Sequence, residues 1–342
     1  MALFITFVTS FCDNVMEVAD KAEIWFAVLN IYAASKRAES YWCKAEKTLK
    51  ELGIVYHGNR TGRSGNAMEI TFDACMAGYR KFVAVGGDGT VHDVLNGIAA
   101  YIDWAGGAGR AVDFSSFTLG VIPVGSGNDW IKSTGVPKDV CAAAKTLNGG
   151  RIGRQDVVML SVLDESDNEI SRSYMVNVGG VGIDPRICEQ VNRLKSEGKR
   201  GKILYVTSLI HAIRHRKSSG IKVVCDGETV FEGPFYSIAL GVGKYSGGGM
   251  RQTPAAVLDD GLVDLTVIPE LPMKRILREV WRLFDGTFNK VPELVTGKYK
   301  EVVVYPVGGQ AEPIEVDGEV VGRGRARFRV LDSQINIVLP PL

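Results

Sequence analysis

Two runs of the chain combine glycines, a hydroxyl and an acid in the way phosphate chemistry uses them: Gly86-Gly87-Asp88-Gly89-Thr90 and Gly125-Ser126-Gly127-Asn128-Asp129. Glycine lets the backbone approach phosphate oxygens, and a helix starting at such a turn offers unpaired N–H groups at the positive end of its dipole. Asp88 is the odd member, because a bare carboxylate repels phosphate. It makes sense facing Mg²⁺, directly or through water, or accepting a proton. Turn chemistry alone also allows a plain strand-to-helix turn with Asp88 as its N-cap. A further carboxylate, Asp317, precedes Gly318, and spacing alone favours a type I′ hairpin turn there.

Other signatures are missing or weaker. The sequence has no GxxxxGK[ST] run, no GxGxxG after a strand-like run and no HExxH, which weighs against P-loop, dinucleotide-binding and zincin chemistry. His211 and His215 stand four apart, a spacing that suits metal, but Arg214, Arg216 and Lys217 beside them favour a solvated basic face or one that meets anionic lipid headgroups. Arg251 follows Gly247-Gly248-Gly249-Met250 and is a candidate phosphate partner; the glycines alone would serve equally as a flexible loop.

Two glycine turns can share one crevice only if adjacent parallel strands carry them. The first 150 residues have the grammar for that. Residues 24–29, 54–56, 82–85 and 119–122 read as buried strands. Between them, Ala38, Tyr41, Trp42, Ala45 and Leu49, then Ala67, Ile70 and Ala74, then Val91, Val94, Leu95 and Ile98 recur at helical spacing. Such alternation implies a sheet covered on both faces, with ligands at the carboxyl ends of its strands. From about residue 154 strand-like runs dominate (157–163, 174–178, 221–224, 236–242, 262–268, 302–305, 314–321, 326–331 and 335–339), with helices near 184–195, 202–215 and 273–285. Asp226-Gly227 and Asp317-Gly318 sit between such runs like hairpin turns. The expected fold is an α/β N-terminal domain with a parallel sheet flanked by helices, plus a mostly antiparallel β-sandwich C-terminal domain. The boundary falls at Gly149-Gly150-Arg151, giving 16–150 and 151–342.

Composition narrows the function classes. The 342 residues carry 40 Lys+Arg against 39 Asp+Glu, a net charge of +1, and 46% are apolar. That balance suits two packed cores, argues against disorder and leaves nucleic acid without the basic excess it normally demands. Six scattered cysteines with no CxxC pair fit a reducing cytosol better than a disulfide framework or a zinc site. The apolar start, Met1 to Cys12, lacks a positive n-region and is too short to span a bilayer. Residues 1–15 are read as an extension outside the fold, with a membrane anchor as the alternative.

GGDGTVHDVLNG (86–97) and GVIPVGSGNDW (120–130) together resemble the diacylglycerol kinase catalytic domain, a family that includes soluble bacterial diacylglycerol and lipid kinases, sphingosine kinases and ceramide kinases. The likeness continues through Asn177-Val178-Gly179-Gly180-Val181-Gly182-Ile183-Asp184, the Gly243–Asp264 stretch with its GGGM and LDDGLVD, and Val316-Asp317-Gly318-Glu319, covering about residues 24–339.

The resemblance implies a two-domain kinase that moves the γ-phosphoryl of ATP to a lipid hydroxyl with Mg²⁺. By position it assigns the ATP phosphates to Gly86, Gly87, Asp88, Gly89, Thr90, Val91 and His92, with Asp88 acting through Mg²⁺. Asn30, Thr61, Ser126 and Asp129 would complete the nucleotide site. Val257 and Leu262, as backbone ligands, and Asp260, as side-chain ligand, would hold a Mg²⁺; Asp317 would accept the proton. The family's "NP.SG" loop is altered here to Asn30-Ile31-Tyr32-Ala33-Ala34-Ser35, which leaves Asn30 as its surest remnant. The expected partners are a lipid substrate and the inner face of a membrane, met peripherally from the cytoplasm, and a homodimer is compatible with the sequence. Two rivals stand beside this reading: an NAD kinase or phosphofructokinase type, which also uses a GGDG turn, and a lipid-binding protein with a lapsed kinase site.

Overall fold

The computed structural model describes residues 21–30, 32–33, 38–62, 66–125, 127–182, 219–308 and 311–342. The N-terminal extension, the expected helices near 184–195 and 202–215 with His211 and His215, and Ser126 lie outside the described residues. The chain forms two compact units: one runs to residue 126 and adds Gly135–Gly153 and Ile335–Leu342, and the other comprises Gly127–Thr134 and Arg154–Gln334. Among the described residues no helix is long and apolar enough to cross a membrane.

The first unit is α/β. Strands β1 (Trp25–Leu29), β2 (Tyr56–Arg60), β3 (Lys81–Gly86) and β4 (Thr118–Pro123) alternate with helices α1 (Ala38–Glu51), α2 (Asn66–Met76) and α3 (Asp88–Gly107). Helices α4 (Trp130–Thr134, carried by the second unit) and α5 (Val140–Gly149) follow, then β5 (Arg151–Gln155). The sheet order among the described strands is β2-β1-β3-β4-β17-β5, with β17 formed by Ile335–Leu339, and β1–β2, β1–β3 and β3–β4 pair in parallel. Trp42 and Leu49 of α1 and Ala144 and Leu147 of α5 pack with Val83, Val85 and Ile122 in one core cluster. Gly53 takes φ +67 where α1 stops, a C-terminal conformation that glycine adopts without strain.

The second unit is mostly antiparallel β. Its strands are β6 (Val158–Leu163), β7 (Glu169–Met175), β8 (Val178–Gly182), β9 (Ser219–Cys225), β10 (Glu228–Gly241), β11 (Val263–Pro269), β12 (Val295–Tyr299), β13 (Glu301–Val307), β14 (Pro313–Val316), β15 (Glu319–Arg323) and β16 (Arg325–Val330). They join in the order β15-β14-β8-β10-β9-β13-β16-β6-β7, with β11 paired to β10 and β12. Short helices α6 (Met273–Glu279) and α7 (Arg282–Asp285) occupy the stretch expected to be helical. Val158, Leu160, Ile238, Leu265, Val302 and Phe328 belong to the apolar interior. Both Asp-Gly hairpins form as expected. Asp226 and Gly227 (φ +47 and +89) join paired Cys225 and Glu228, and Asp317 and Gly318 (φ +52 and +92) join paired Val316 and Glu319.

Four expectations need correction. Residues 335–339 form strand β17 (Ile335–Leu339), which pairs in parallel with β4 rather than joining the antiparallel half. Residues 127–134 likewise belong to the second unit, so a single cut at 150 misses two exchanges of chain. The second strand runs Tyr56–Arg60, not 54–56. It is an edge strand with a polar, largely exposed sequence, so apolar runs do not mark it. Residues 174–178 are not one strand but the end of β7, a turn at Val176-Asn177 and the start of β8.

Candidate functional site

In the first unit, Asn30, Thr61, Gly87 and Val124 each follow directly on the carboxyl end of one of four adjacent parallel strands. The ends are tied together. Asn30 N–H donates to Val85 O (3.0 Å), Thr61 N–H to Leu29 O (2.9 Å), and Val124 and Gly125 N–H to Gly86 O (2.8 and 3.2 Å). Asn30 Nδ2 donates to Thr90 Oγ1 at 3.0 Å and its Oδ1 accepts from Tyr32 N–H at 3.0 Å. The surviving asparagine of the altered loop thus joins β1 to the first turn of α3.

Helix α3 begins after Gly87, which is its N-cap in extended geometry (φ −105°, ψ −166°), and as a glycine it makes no side-chain cap hydrogen bond. The alternative that Asp88 is the N-cap is therefore corrected: Asp88 is the first helical residue. Gly87 O takes the N–H groups of Thr90 (3.0 Å) and Val91 (3.2 Å). The Val91 and His92 side chains are buried. A Cβ on Gly86 would stand 2.1 Å from Thr90 Oγ1, which explains a glycine there by close approach. The Thr61 hydroxyl is buried, at 2% residue exposure, and has no hydrogen-bond partner among the described residues. A buried orphan hydroxyl costs free energy unless a ligand satisfies it.

In the second unit, Asp129 and Asp317 belong to one connected network. The buried Asp129 carboxylate pairs with Lys132 and accepts Gly248 N–H at 2.6 Å. Gly247, Gly248 and Gly249 all take positive φ (+54, +85 and +109), and Ser246 and Met250 exchange backbone hydrogen bonds (2.9 Å each) across them. The triplet is thus a closed turn, not the flexible loop that composition allowed. Asn177 ties this turn to Asp317: its Nδ2 donates to Tyr245 O (2.9 Å), its carbonyl accepts from Val242 and Gly243 N–H (3.0 Å each), and its N–H donates to Asp317 Oδ1 (2.9 Å). Val176 N–H donates to Asp317 Oδ2 at 3.2 Å, while Asp317 N–H reaches Val178 O at 2.9 Å. Asp317 is both a turn residue and a clamp on the β7–β8 turn. Arg251 lies 5.1 Å over the Tyr245 ring and donates to Asp285 O at 3.4 Å.

The expected cation ligands look different. Asp260 Oδ1 accepts Leu262 N–H at 3.2 Å and its Oδ2 accepts from Lys298 Nζ at 2.6 Å, so both oxygens are engaged. Lys298 also stands 3.4 Å from Asp264 Oδ2. Asp156, fully buried, accepts Gly261 N–H and Gln334 Nε2 at 2.8 Å each. Burial pushes the Asp156 carboxyl up, and burial pushes Asp264 up to about 6 against the opposing pull of Lys298. Burial alone would lower the Lys298 ammonium, but the Asp260 hydrogen bond and the two carboxylates outweigh it and leave it raised. Val257 is exposed, and among the described residues no group of three or more His, Cys, Asp or Glu is arranged to hold a metal. The trio Val257, Asp260 and Leu262 does not fit a divalent cation in this arrangement, because a protein ammonium already neutralises its one carboxylate.

Sequence reading passed over Lys132, Asn177 as a side chain, and Lys298. Lys132 was detectable from its i,i+3 spacing to Asp129. Lys298 was not, since only the β11–β12 register sets it opposite Asp264.

Comparison with known proteins identifies relatives of both halves of the chain. The family model for the diacylglycerol kinase catalytic domain matches residues 25–160, and that for the YegS C-terminal NAD kinase beta sandwich-like domain matches 177–339. A diacylglycerol kinase of Bacillus subtilis is 24% identical over 294 residues, covering 85% of this chain and 88% of that protein. A chain of Xanthomonas euvesicatoria named as a YegS-like lipid kinase is 26% identical over 298 residues, covering 87% and 91%. Two crystal structures from Bacillus anthracis, one described as a diacylglycerol kinase, match with TM-scores of 0.72 and 0.66 at 20% and 18% identity, covering 94% and 93% of this chain and 96% and 97% of theirs. Two adjoining domain matches, relatives spanning most of both chains and a shared fold place this chain in the diacylglycerol kinase catalytic-domain family, beside the diacylglycerol kinases and YegS-like lipid kinases.

Proposed function

We propose that this chain transfers the γ-phosphoryl group of ATP to the hydroxyl of a diacylglycerol-like or sphingoid lipid. The observation that carries the nucleotide half is the pairing of an α3 start capped by a glycine with the buried Thr61 hydroxyl, which has no partner among the described residues, both at the carboxyl edge of one parallel sheet. Such a helix start attracts phosphate oxygens, and the hydroxyl has one hydrogen bond to give. Asn30, Gly86 and Thr90 shape that edge, Gly87, Asp88 and Gly89 present it, and Val91 and His92 are buried in α3. The sequence resemblance also assigns Ser126 and Asp129 to nucleotide binding.

Bound as its magnesium salt, ATP would bring a cation that supplies neutralisation of phosphate charge. Asp88 is assigned to orient that salt. Transfer of this kind relies on positioning and charge stabilisation more than on covalent help. The lipid oxygen forms its bond to the γ-phosphorus as the bond to the ADP oxygen breaks, and the hydroxyl proton passes to Asp317. Two backbone N–H groups hold the Asp317 carboxylate in place, and a carboxylate positioned in this way serves as the proton acceptor. We place the protein at the inner face of a membrane, where such lipids reside. The test is incubation with γ-labelled ATP and vesicles containing diacylglycerol, phosphatidylglycerol or sphingosine, followed by separation of lipid products. Label in a lipid supports the reading. Label in NAD⁺ or fructose 6-phosphate alone overturns it, and no transfer to any acceptor restores the lapsed-site reading.

A further inference from the structure

The turn before β11 packs four carboxylates into a short space, Asp156, Asp259, Asp260 and Asp264, of which Asp156 and Asp264 are buried. Such a cluster needs a compensating positive charge. Lys298 is directly opposite Asp264 in the antiparallel β11–β12 register, so its backbone position is set by the sheet. From there its ammonium donates to Asp260 Oδ2 at 2.6 Å and stands 3.4 Å from Asp264 Oδ2, a buried oxygen with no hydrogen-bond partner among the described residues. Asp260 in turn holds Leu262 N–H, and Asp156 holds Gly261 N–H. The lysine, three carboxylates and two loop amides line this turn.

We infer that Lys298 takes the place of a divalent cation in this turn, its ammonium bridging Asp260 and Asp264 so that the 257–262 loop closes without metal. Lys298 is a positioning residue, and the inference stands apart from the kinase reading because its test measures no transfer.

The test is thermal unfolding of the full chain without nucleotide, in EDTA and in millimolar Mg²⁺. The wild-type melting temperature stays the same in both. Lys298→Met, which keeps the apolar stem and removes the charge, melts several degrees lower in EDTA and regains most of the loss in Mg²⁺, because the emptied place between the carboxylates accepts the ion. Lys298→Arg keeps the charge and melts near wild type in both buffers. A wild-type protein that Mg²⁺ stabilises, or a Lys298→Met protein that melts like wild type in EDTA or gains nothing from Mg²⁺, overturns the inference. Should Lys298→Met fail to fold, calorimetric titration of wild type with Mg²⁺ still decides, since stoichiometric binding without nucleotide contradicts a site already filled.

Discussion

Asp317→Asn separates the two duties the structure gives this residue. The turn tolerates the change, because Asn-Gly fits a type I′ hairpin as well as Asp-Gly, and φ +52 at this position suits asparagine. The clamp does not. A carboxylate presents an acceptor to both Val176 N–H and Asn177 N–H, whereas a carboxamide presents one oxygen and one NH₂. The oxygen stays on the shorter contact, Asn177 at 2.9 Å, and the NH₂ faces Val176 N–H from 3.2 Å, donor against donor. Asp317 is 8% exposed, so water does not readily repair the mismatch. Losing one hydrogen bond to a charged acceptor and stranding its donor costs about 1.5–3 kcal/mol. For a unit of this size that lowers the melting temperature by about 3–12 °C. Removing the proton acceptor lowers kcat by about 10²-fold or more, with ATP affinity kept. Melting, ATP binding and lipid phosphorylation on one preparation check all three. Unchanged melting refutes the clamp argument, and wild-type turnover refutes the proton role and moves it to Asp88.

Thr61→Val replaces a buried hydroxyl that has no partner among the described residues with a methyl of similar shape, so melting holds or rises while the ATP KM increases about tenfold or more; a lower melting temperature with unchanged KM contradicts the nucleotide assignment. Gly86→Ala drives a methyl onto the buried Thr90 side chain, and overpacking costs about 1–3 kcal/mol, read as a lower melting temperature together with weaker ATP binding. Gly248→Ala puts a Cβ on a residue at φ +85, which costs about 1–2 kcal/mol, and displaces the amide that Asp129 holds. Turnover then falls by more than the stability change explains, and equal turnover removes the glycine turn from the catalytic account.

Local chemistry was legible. The strand–glycine–helix turn at Gly86–Asp88, both Asp-Gly hairpins and the helical face of Val91, Val94, Leu95 and Ile98 each depend on neighbours within a few residues, so spacing alone identified them. The motif resemblance then named the family, because its glycines and acids recur at separations set by the fold's loops. Edge strand β2 was half missed for a local reason too: His57-Gly58-Asn59-Arg60 carries no apolar run, since one side of an edge strand meets water.

What the chain order could not express is which distant segments meet. Strand β17 has the same apolar run whether it pairs with β4 or with the antiparallel strands, and its place follows from the room left beside β4 once the sheet forms. Asp129 reads as part of a glycine turn on β4, yet Gly248, 119 residues away, supplies its hydrogen bond. Lys298 and Asp260 are 38 residues apart and meet because the register of β11 and β12 sets Lys298 opposite Asp264, beside the turn that carries Asp260. Sequence determined the turns, the periodic faces and the acids that chemistry needs. Tertiary structure decided which partners those acids keep, because a carboxylate's behaviour depends on the donors and cations within a few ångströms of it, and those come from strand register rather than from sequence neighbours.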